Sequence, residues 1–393
     1  MGMDSPPSVK QTDLLRVVVT MDNAPGHMEL LTPGARCEWG RCQFILNPEP
    51  GTQADFWIVA GNARPTDTMV CDPRNTMFIA AEPLEKKVYP HKYYRQFHWL
   101  VDSHDKSRHP RLTIDALGLC WHTGLRQPQN EYTFGYDRLA STPMPEKQNR
   151  ISVVCSSNRF TAGQCLRLDF LEEAKRQLGD QIVHFGRGFQ PVADKLEAIL
   201  PYRFHLALEN CQHRNYWSEK IADAYLSWAF PIYVGCPNLA DFLPAESFVR
   251  IDPAQPEESI RTLRKLLETA PTQRERDAVS AGRDAILNQW NPFAVWARWA
   301  EARWQQGEFQ NTTIHSHKAF RSMFRGWIFR LRTKLDRATL SSVVARSVSE
   351  GMSCVKSLAH TSGYKNTRIP RKVAVSNQTP APQSTGEGGV TVN

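Results

Sequence analysis

The sequence predicts an α/β protein built from two Rossmann-like domains that face a cleft. Its 393 residues are enough for two domains. Short apolar runs rich in β-branched residues alternate with longer connections, which is typical of parallel sheets covered by helices. The composition, 41% hydrophobic and 22% charged, is that of an ordinary globular protein. No run of 18 apolar residues occurs, so the sequence predicts no membrane-spanning helix.

The first domain is predicted over residues 14–145, after a flexible N-terminus of residues 1–13. Its strands are short apolar runs that end at glycine, proline or acidic residues. Four such runs lie at residues 14–20, 54–60, 76–81 and 99–102. Pro143 and Pro145 mark the expected linker to the second domain.

The second domain is predicted over residues 146–310. Buried-type strands are expected at residues 151–155, 181–185, 204–208, 231–235 and 247–252. Helices are expected at residues 167–178 and 256–269, and a further helix is expected to begin at Ser218, a residue that favours helix N-termini. Residues 271–305 have a helical pattern, and we expect them to pack back across both domains.

The end of the chain is predicted to be a basic amphipathic tail, residues 311–372, followed by a disordered segment, residues 373–393. From Lys318 onward 13 lysines and arginines face three acidic residues, whereas the preceding residues hold 35 against 37. The body is therefore nearly neutral, which disfavours nucleic-acid binding. Residues 318–337 place apolar side chains at helical spacing, which indicates a membrane-surface helix or, alternatively, a helix docked on the body.

The nine cysteines predict neither a disulfide framework nor a metal site. No C-x-x-C pair occurs, so the spacing typical of structural zinc is missing. We therefore expect buried thiols in a reducing compartment, no metal and no cofactor.

The segment 202–252 carries the strongest functional signal. It is expected to form a strand, a polar loop, a helix and a second strand. The loop and the first helical turn hold Asn210, Tyr216, Glu219 and Lys220. These side chains would lie at the carboxyl edge of a parallel sheet, where α/β folds bind nucleotides. A helix N-terminus there favours phosphate, so the pattern predicts a site for a nucleoside-diphosphate sugar.

This segment resembles the donor-binding signature of the α-1,3-fucosyltransferases, glycosyltransferase family 10. The resemblance rests on the ordered runs YRFHLALEN, Y-x-SEKI-x-DAY and PIYVG-x-P. It implies the GT-B architecture, a GDP-fucose donor and a glycan acceptor. Many animal members carry an N-terminal membrane helix, and the opening residues show none. We therefore expect a bacterial cytoplasmic enzyme, with peripheral contact to the inner membrane through its tail as one option.

The resemblance also implies roles for individual residues. Lys220 and Arg167 would contact the diphosphate and Glu219 the ribose, while Asn210 would contact the phosphate or sugar and Tyr216 the diphosphate or base. Each side chain has an ordinary alternative as a surface charge, a helix cap or a packing residue.

Three further residues complete the predicted site. Arg187 would line the guanine pocket. Glu82, which follows a buried strand of the first domain, would be the general base, with Glu85 as the second candidate. Glu209 is interpreted as a structural hydrogen-bonding residue at a strand end.

Together these residues predict an inverting fucosyltransferase that acts on a glycan such as a lipopolysaccharide O-chain. Two alternatives remain open. One is a GT-B enzyme with another nucleotide-sugar donor, and the other is a non-catalytic protein that binds nucleotide sugars or glycans.

Overall fold

The computed structural model describes residues 14–320 of the protein. They form two large sheets, one mostly and one wholly parallel, flanked by helices, so the predicted α/β class is confirmed. The predicted N-terminal segment of residues 1–13 and the tail beyond Phe320 lie outside the described residues. Within the described part of the chain, no helix is long and apolar enough to cross a membrane.

The first domain is a seven-stranded sheet with strand order β2-β3-β1-β4-β6-β7-β8. All neighbours pair in parallel except β2 and β3. The short helix α1 spans His91–Tyr94. The seven strands of the sheet are β1 Leu15–Thr20, β2 Glu38–Trp39, β3 Cys42–Leu46, β4 Phe56–Ala60, β6 Thr76–Ile79, β7 Trp99–Asp102 and β8 Leu112–Ile114, and β5 Thr66–Val70 lies outside this sheet.

The apolar strand β4 explains why this sheet is covered on both faces. Phe56, Trp57, Ile58 and Val59 are all fully buried. Successive side chains of a strand point to opposite faces. A continuous apolar run is therefore stable only where both faces pack against other elements.

A small hairpin and a short helix connect the two domains. Strand β9, Leu125–Arg126, pairs antiparallel with β10, Glu131–Tyr132, and helix α2 follows over Tyr136–Ser141. The chain then enters the second sheet at Gln148, close to the predicted linker.

The second domain is a five-stranded, all-parallel sheet with order β12-β11-β13-β14-β15. Its elements are β11 Gln148–Val154, α3 Ala162–Leu178, β12 Ile182–Phe185, α4 Lys195–Ile199, β13 Tyr202–Leu208, α5 Glu219–Leu226, β14 Phe230–Val234, β15 Val249–Arg250 and α6 Pro256–Glu268. From β11 the chain runs to β12 on one side and then to β13 on the other. The order therefore reverses between β11 and β13, and such a switch point is where open α/β sheets bind ligands.

The last described elements return to the first domain. They are α7 Gln273–Asp284, a π-helical turn Ala285–Gln289, α8 Pro292–Arg303 and β16 Asn311–His315. On α8, Phe293 meets Phe44 edge to face at 5.1 Å between ring centroids, and the Glu301 carboxylate accepts a hydrogen bond from the Arg41 backbone N–H at 2.6 Å. The helical pattern over residues 271–305 therefore does pack across both domains.

The start of the predicted tail differs from the structure. Residues 311–315, expected to open the tail, form β16, which pairs antiparallel with β5 of the first domain. Thr312 and Ile314 are buried while the residues between and beside them are exposed. This alternation over five residues, largely polar, gives only a weak strand signal in sequence.

One hydrophobic cluster joins the two domains. It contains Phe44 and Ile58 from the first sheet, Ile221 and Tyr225 from α5, and Phe293 from α8. Two Rossmann-like domains that meet across a cleft, with a C-terminal helix crossing back, form the GT-B architecture.

Candidate active site

The carboxyl end of β13 and the start of α5 form the centre of the site. Glu209 directly follows β13, and its carboxylate accepts hydrogen bonds from the Ser218 backbone N–H at 2.8 Å and from the Ser218 hydroxyl at 2.7 Å. Ser218 occupies the N-cap position of α5, but its side chain makes no cap hydrogen bond. The helix therefore begins at Ser218 as predicted, and Glu209 engages the Ser218 hydroxyl.

Lys220 lies between two carboxylates. Its Nζ is 3.1 Å from Glu209 Oε2 and 3.2 Å from Glu219 Oε1, and it donates to Ser218 Oγ at 2.9 Å. Burial by itself lowers the pKa of the Lys220 ammonium, but the charges of Glu209 and Glu219 outweigh burial and raise that pKa. Lys220 is therefore a permanent cation at the start of α5.

The charge cluster continues through Glu219 to α4. Lys195 Nζ lies 3.4 Å from Glu219 Oε1 and 2.7 Å from Asp223 Oδ2. Burial tends to raise the pKa of Glu219, but Lys220 and Lys195 hold it well below the usual range of a carboxyl. Glu219 therefore stays ionised.

Asp223 links this cluster to the first domain. Its Oδ1 accepts hydrogen bonds from the backbone N–H groups of His122 at 2.7 Å and Thr123 at 2.8 Å. The His122 ring also approaches Glu219, at 3.8 Å. The cluster thus alternates in sign from Glu209 to Asp223 and ends on a loop of the other domain.

Arg167 and Asn210 contribute polar atoms that are buried and unpaired. Arg167 on α3 is 7% exposed, and its Nη1 donates to the Leu208 carbonyl oxygen at 3.3 Å. Within residues 14–320, Arg167 Nε and Asn210 Oδ1 have no hydrogen-bond partner. Buried polar groups are nearly always paired in folded proteins. Unpaired atoms at a sheet switch point therefore indicate a place for a polar ligand.

A close approach of backbone brings Arg167 and Asn210 to the same place. A Cβ atom at Gly163 would lie 2.2 Å from the Asn210 carbonyl oxygen, so only glycine allows the first turn of α3 to meet the loop after β13. Thr161 and Gln164 form a capping box at the start of α3. This cap begins the helix at Ala162, five residues before the predicted start.

Glu82 and Tyr216 bring the two domains together at the site. The Tyr216 phenol is buried, and its pKa is raised by burial and then by the charges of Glu209, Glu219 and Glu82. Glu82 lies just after β6 of the first domain, and its carboxylate accepts from Lys86 Nζ at 2.6 Å. The charge of Glu82 therefore acts on Tyr216 of the second domain, and the role of Glu82 as the base stays a prediction.

The remaining predicted residues lie on neighbouring loops. Arg187 is exposed, and its backbone carbonyl accepts a hydrogen bond from the Ser157 N–H at 3.0 Å. The loop after β12 thus lies beside the loop after β11. Glu85 contacts the His213 ring across the cleft.

Sequence reasoning missed Lys195, Asp223 and His122. Asp223 lies one helical turn after Glu219 within SEKIADAY, so i to i+4 spacing could have placed both on one helix face. Lys195 and His122 reach the cluster from a separate helix and a separate domain. No local pattern in the sequence marks either of them.

The donor-side domain is similar to known proteins. Residues 144–274 match the model of glycosyltransferase family 10 (fucosyltransferase), C-terminal domain. The α-(1,3)-fucosyltransferase FucT of Helicobacter pylori is 43% identical over 60 residues, 15% of this chain and 13% of that protein. A fucosyltransferase-like protein of Arabidopsis thaliana is 31% identical over 140 residues, 35% of this chain and 26% of that protein. The matches thus span about a quarter or less of these relatives.

A solved α1,3-fucosyltransferase with GDP is also similar, at a TM-score of 0.39 and 17% identity over 72% of this chain and 93% of that chain. The family match covers β11 to α6 and with them Arg167, Asn210, Tyr216, Glu219 and Lys220. Through this donor-side domain, the chain is similar to glycosyltransferase family 10.

Proposed function

We propose that the protein is an inverting glycosyltransferase that transfers fucose from GDP-fucose to a glycan hydroxyl. The observation that carries this proposal is the pair of buried, unpaired polar atoms on Arg167 and Asn210 at the switch point of the second sheet. They lie beside the start of α5, which supplies free backbone N–H groups, and beside the cationic Lys220. The choice of fucose as the donor sugar is supported by the fucosyltransferase family model that residues 144–274 match.

The leaving diphosphate needs positive charge that other groups do not already neutralise. Lys220 shares its charge with Glu209 and Glu219. Arg167 makes one hydrogen bond to a carbonyl oxygen and forms no ion pair with any of the described residues. The first turn of α5 adds backbone N–H groups that lack intrahelical partners. In our proposal Arg167 and this turn bind the diphosphate. Lys220 redirects one of its N–H donors from a carboxylate to a phosphate oxygen.

Glu219 suits a role at the ribose. Burial tends to raise the pKa of Glu219, but the charges of Lys220 and Lys195 hold that pKa well below the usual range of a carboxyl. The ionised carboxylate accepts hydrogen bonds and does not donate them. Ribose hydroxyls are donors, and a fixed carboxylate binds two neighbouring hydroxyls well. Lys195 and Asp223 hold this carboxylate in place through the contacts described above.

Glu82 is proposed as the general base. The acceptor oxygen attacks the anomeric carbon of fucose while its proton passes to a Glu82 carboxylate oxygen. The bond between the anomeric carbon and the diphosphate oxygen breaks on the opposite face, so GDP leaves and the configuration inverts. Lys86 holds the Glu82 carboxylate at 2.6 Å on the first-domain side of the cleft. Proton transfer of this kind contributes roughly 10²–10⁴-fold in rate.

The test is a transfer assay with GDP-fucose and a panel of glycan acceptors, measured as fucosylated product. Glu82→Gln should reduce turnover by about 10²-fold or more while donor affinity is retained. Glu49→Gln, which removes an exposed carboxylate of the first domain outside the site, is the matched control and should turn over like the wild type, whereas Glu85→Gln tests the second candidate base. The absence of fucosylated product with every acceptor of the panel, or full turnover by Glu82→Gln, would contradict the proposal.

Finer assignments are proposals as well. We propose a lipopolysaccharide-type acceptor, a chemical step without magnesium or manganese, and a cytoplasmic location with peripheral contact to the inner membrane through residues 318–337. Turnover without added divalent metal tests the second assignment. Flotation with anionic vesicles, compared between the full chain and a chain ending at residue 317, tests the last. Equal flotation of both would contradict membrane contact through the tail.

A further inference from the structure

Three side chains from two domains bring possible metal ligands together at the mouth of the cleft. A Glu85 carboxylate oxygen, the Cys211 sulfur and a His213 ring nitrogen all lie within 4.8 Å of one another. Glu85 belongs to the turn after β6, and the other two belong to the loop after β13. The Glu85 and His213 groups already touch.

We propose that Glu85, Cys211 and His213 bind a zinc ion that bridges the two domains. Thiolate, imidazole and carboxylate are the ligands that zinc prefers, at about 2.0–2.3 Å from the metal. Tetrahedral geometry with such bonds separates ligand atoms by roughly 3.3–3.8 Å. The three ligand atoms lie within 4.8 Å of one another, but the Glu85 and His213 groups, which touch directly, would have to move apart to admit the ion between them. Magnesium and calcium, which prefer oxygen ligands, fit this set poorly.

The surroundings of the three ligands also favour a cation. Burial raises the pKa of the Cys211 thiol, and the carboxylates of Glu85 and Glu209 raise it further, each more strongly than the Lys220 ammonium lowers it. The charges that act on the thiol are therefore mainly negative. The side chains of Glu85 and His213 are 51% and 35% exposed. An ion can therefore enter from solvent, and water can fill the fourth coordination position.

Zinc in this position would fix the spacing between the two halves of the site. Glu85 lies three residues after Glu82, and Cys211 directly follows Asn210. The ion would tie the turn that carries the proposed base to the loop that carries donor-side residues. It takes no part in the transfer step, so this inference stands independently of the proposed function.

Calorimetry and cobalt spectroscopy on the full chain test the proposal. Protein freed of metal by chelation is titrated with ZnCl₂, and Co²⁺ is added separately to record the near-ultraviolet charge-transfer band of a cobalt–thiolate bond. The wild type should bind one zinc ion and show the band. Cys211→Ser should abolish the band, and both it and His213→Gln should weaken zinc binding by about tenfold or more. Cys165→Ser, which removes a thiol on α3 outside the cluster, is the matched control and should retain both signals.

Several results would overturn the proposal. They are the absence of saturable zinc binding by the wild type, a cobalt band that persists in Cys211→Ser, and loss of the band in the Cys165→Ser control alone. If circular dichroism shows that Cys211→Ser does not fold, His213→Gln decides. The His213 side chain is partly exposed, so its replacement should not prevent folding. Unchanged zinc affinity in His213→Gln would mean that Glu85 and His213 of the wild type form only an ion pair.

Discussion

Replacing Glu209 by Gln tests whether this buried carboxylate organises the donor side of the cleft. Glu209 accepts hydrogen bonds from the N–H and hydroxyl of Ser218 and pairs with Lys220 at 3.1 Å. The glutamine keeps one acceptor oxygen but turns an NH₂ group toward Ser218 or the Lys220 ammonium. The variant thus removes one charge and places a donor against a donor.

The expected loss of stability follows from these contacts. Hydrogen bonds to charged groups contribute about 1.5–3 kcal/mol, and removing one partner of a buried ion pair costs about 3–5 kcal/mol. Lys220 keeps Glu219 and is partly exposed, so we expect about 2–3 kcal/mol, toward the lower end of these ranges.

Urea unfolding followed by tryptophan fluorescence measures this loss, since buried Trp217 lies next to Ser218. Glu173→Gln is the control, because Glu173 forms an ion pair with Arg176 on the exposed side of α3. Exposed pairs contribute little, so the control should unfold like the wild type. A loss below about 1 kcal/mol for Glu209→Gln, or equal losses in the two variants, would refute the reasoning.

Two further predictions concern stability. Burial lowers the pKa of Lys147 to about 7 in the folded protein. Between about pH 7 and pH 10 Lys147 is therefore neutral when folded and protonated when unfolded, so unfolding takes up a proton. The free energy of unfolding should rise with pH in this range by up to about 1.4 kcal/mol per pH unit. Lys147→Met should remove that part of the slope in urea titrations at pH 7, 8 and 9, and an unchanged slope would contradict the prediction. Phe293→Ala should cost about 3–5 kcal/mol, because Phe293 is fully buried between α8 and the first sheet. Thermal unfolding measures this cost, and a change below about 1 kcal/mol would show that α8 does not hold the domains.

The sequence was sufficient for the strands and for the donor-side signature. Apolar runs such as Phe56–Ala60 and Tyr202–Leu208 are long enough to predict buried strands, and the ordered motif around Lys220 predicts the loop and helix that follow. Helix α3 begins before its predicted start, because the capping box of Thr161 and Gln164 opens the helix at Ala162. Strand β16 was assigned to the tail because its alternation is short and polar.

Contacts between distant parts of the chain could not be predicted in this way. Lys195 joins Glu219 and Asp223 only after α4 and α5 pack side by side. The possible zinc ligands share no local spacing, since Glu85 comes from one domain and His213 from the other. Spacing rules for cysteine and histidine detect ligands on one loop, so a site assembled across a cleft gives them no signal.

Donor binding tests the central claim most directly. Calorimetric titrations of GDP-fucose, GDP-mannose and UDP-galactose should be carried out on the wild type and on Lys220→Ala. We predict selective binding of GDP-fucose that weakens by about tenfold or more in the variant, because a charged hydrogen bond to phosphate contributes about 1.5–3 kcal/mol. Equal binding of all three nucleotides, or no binding of GDP-fucose to the wild type, would contradict the fucosyl donor site.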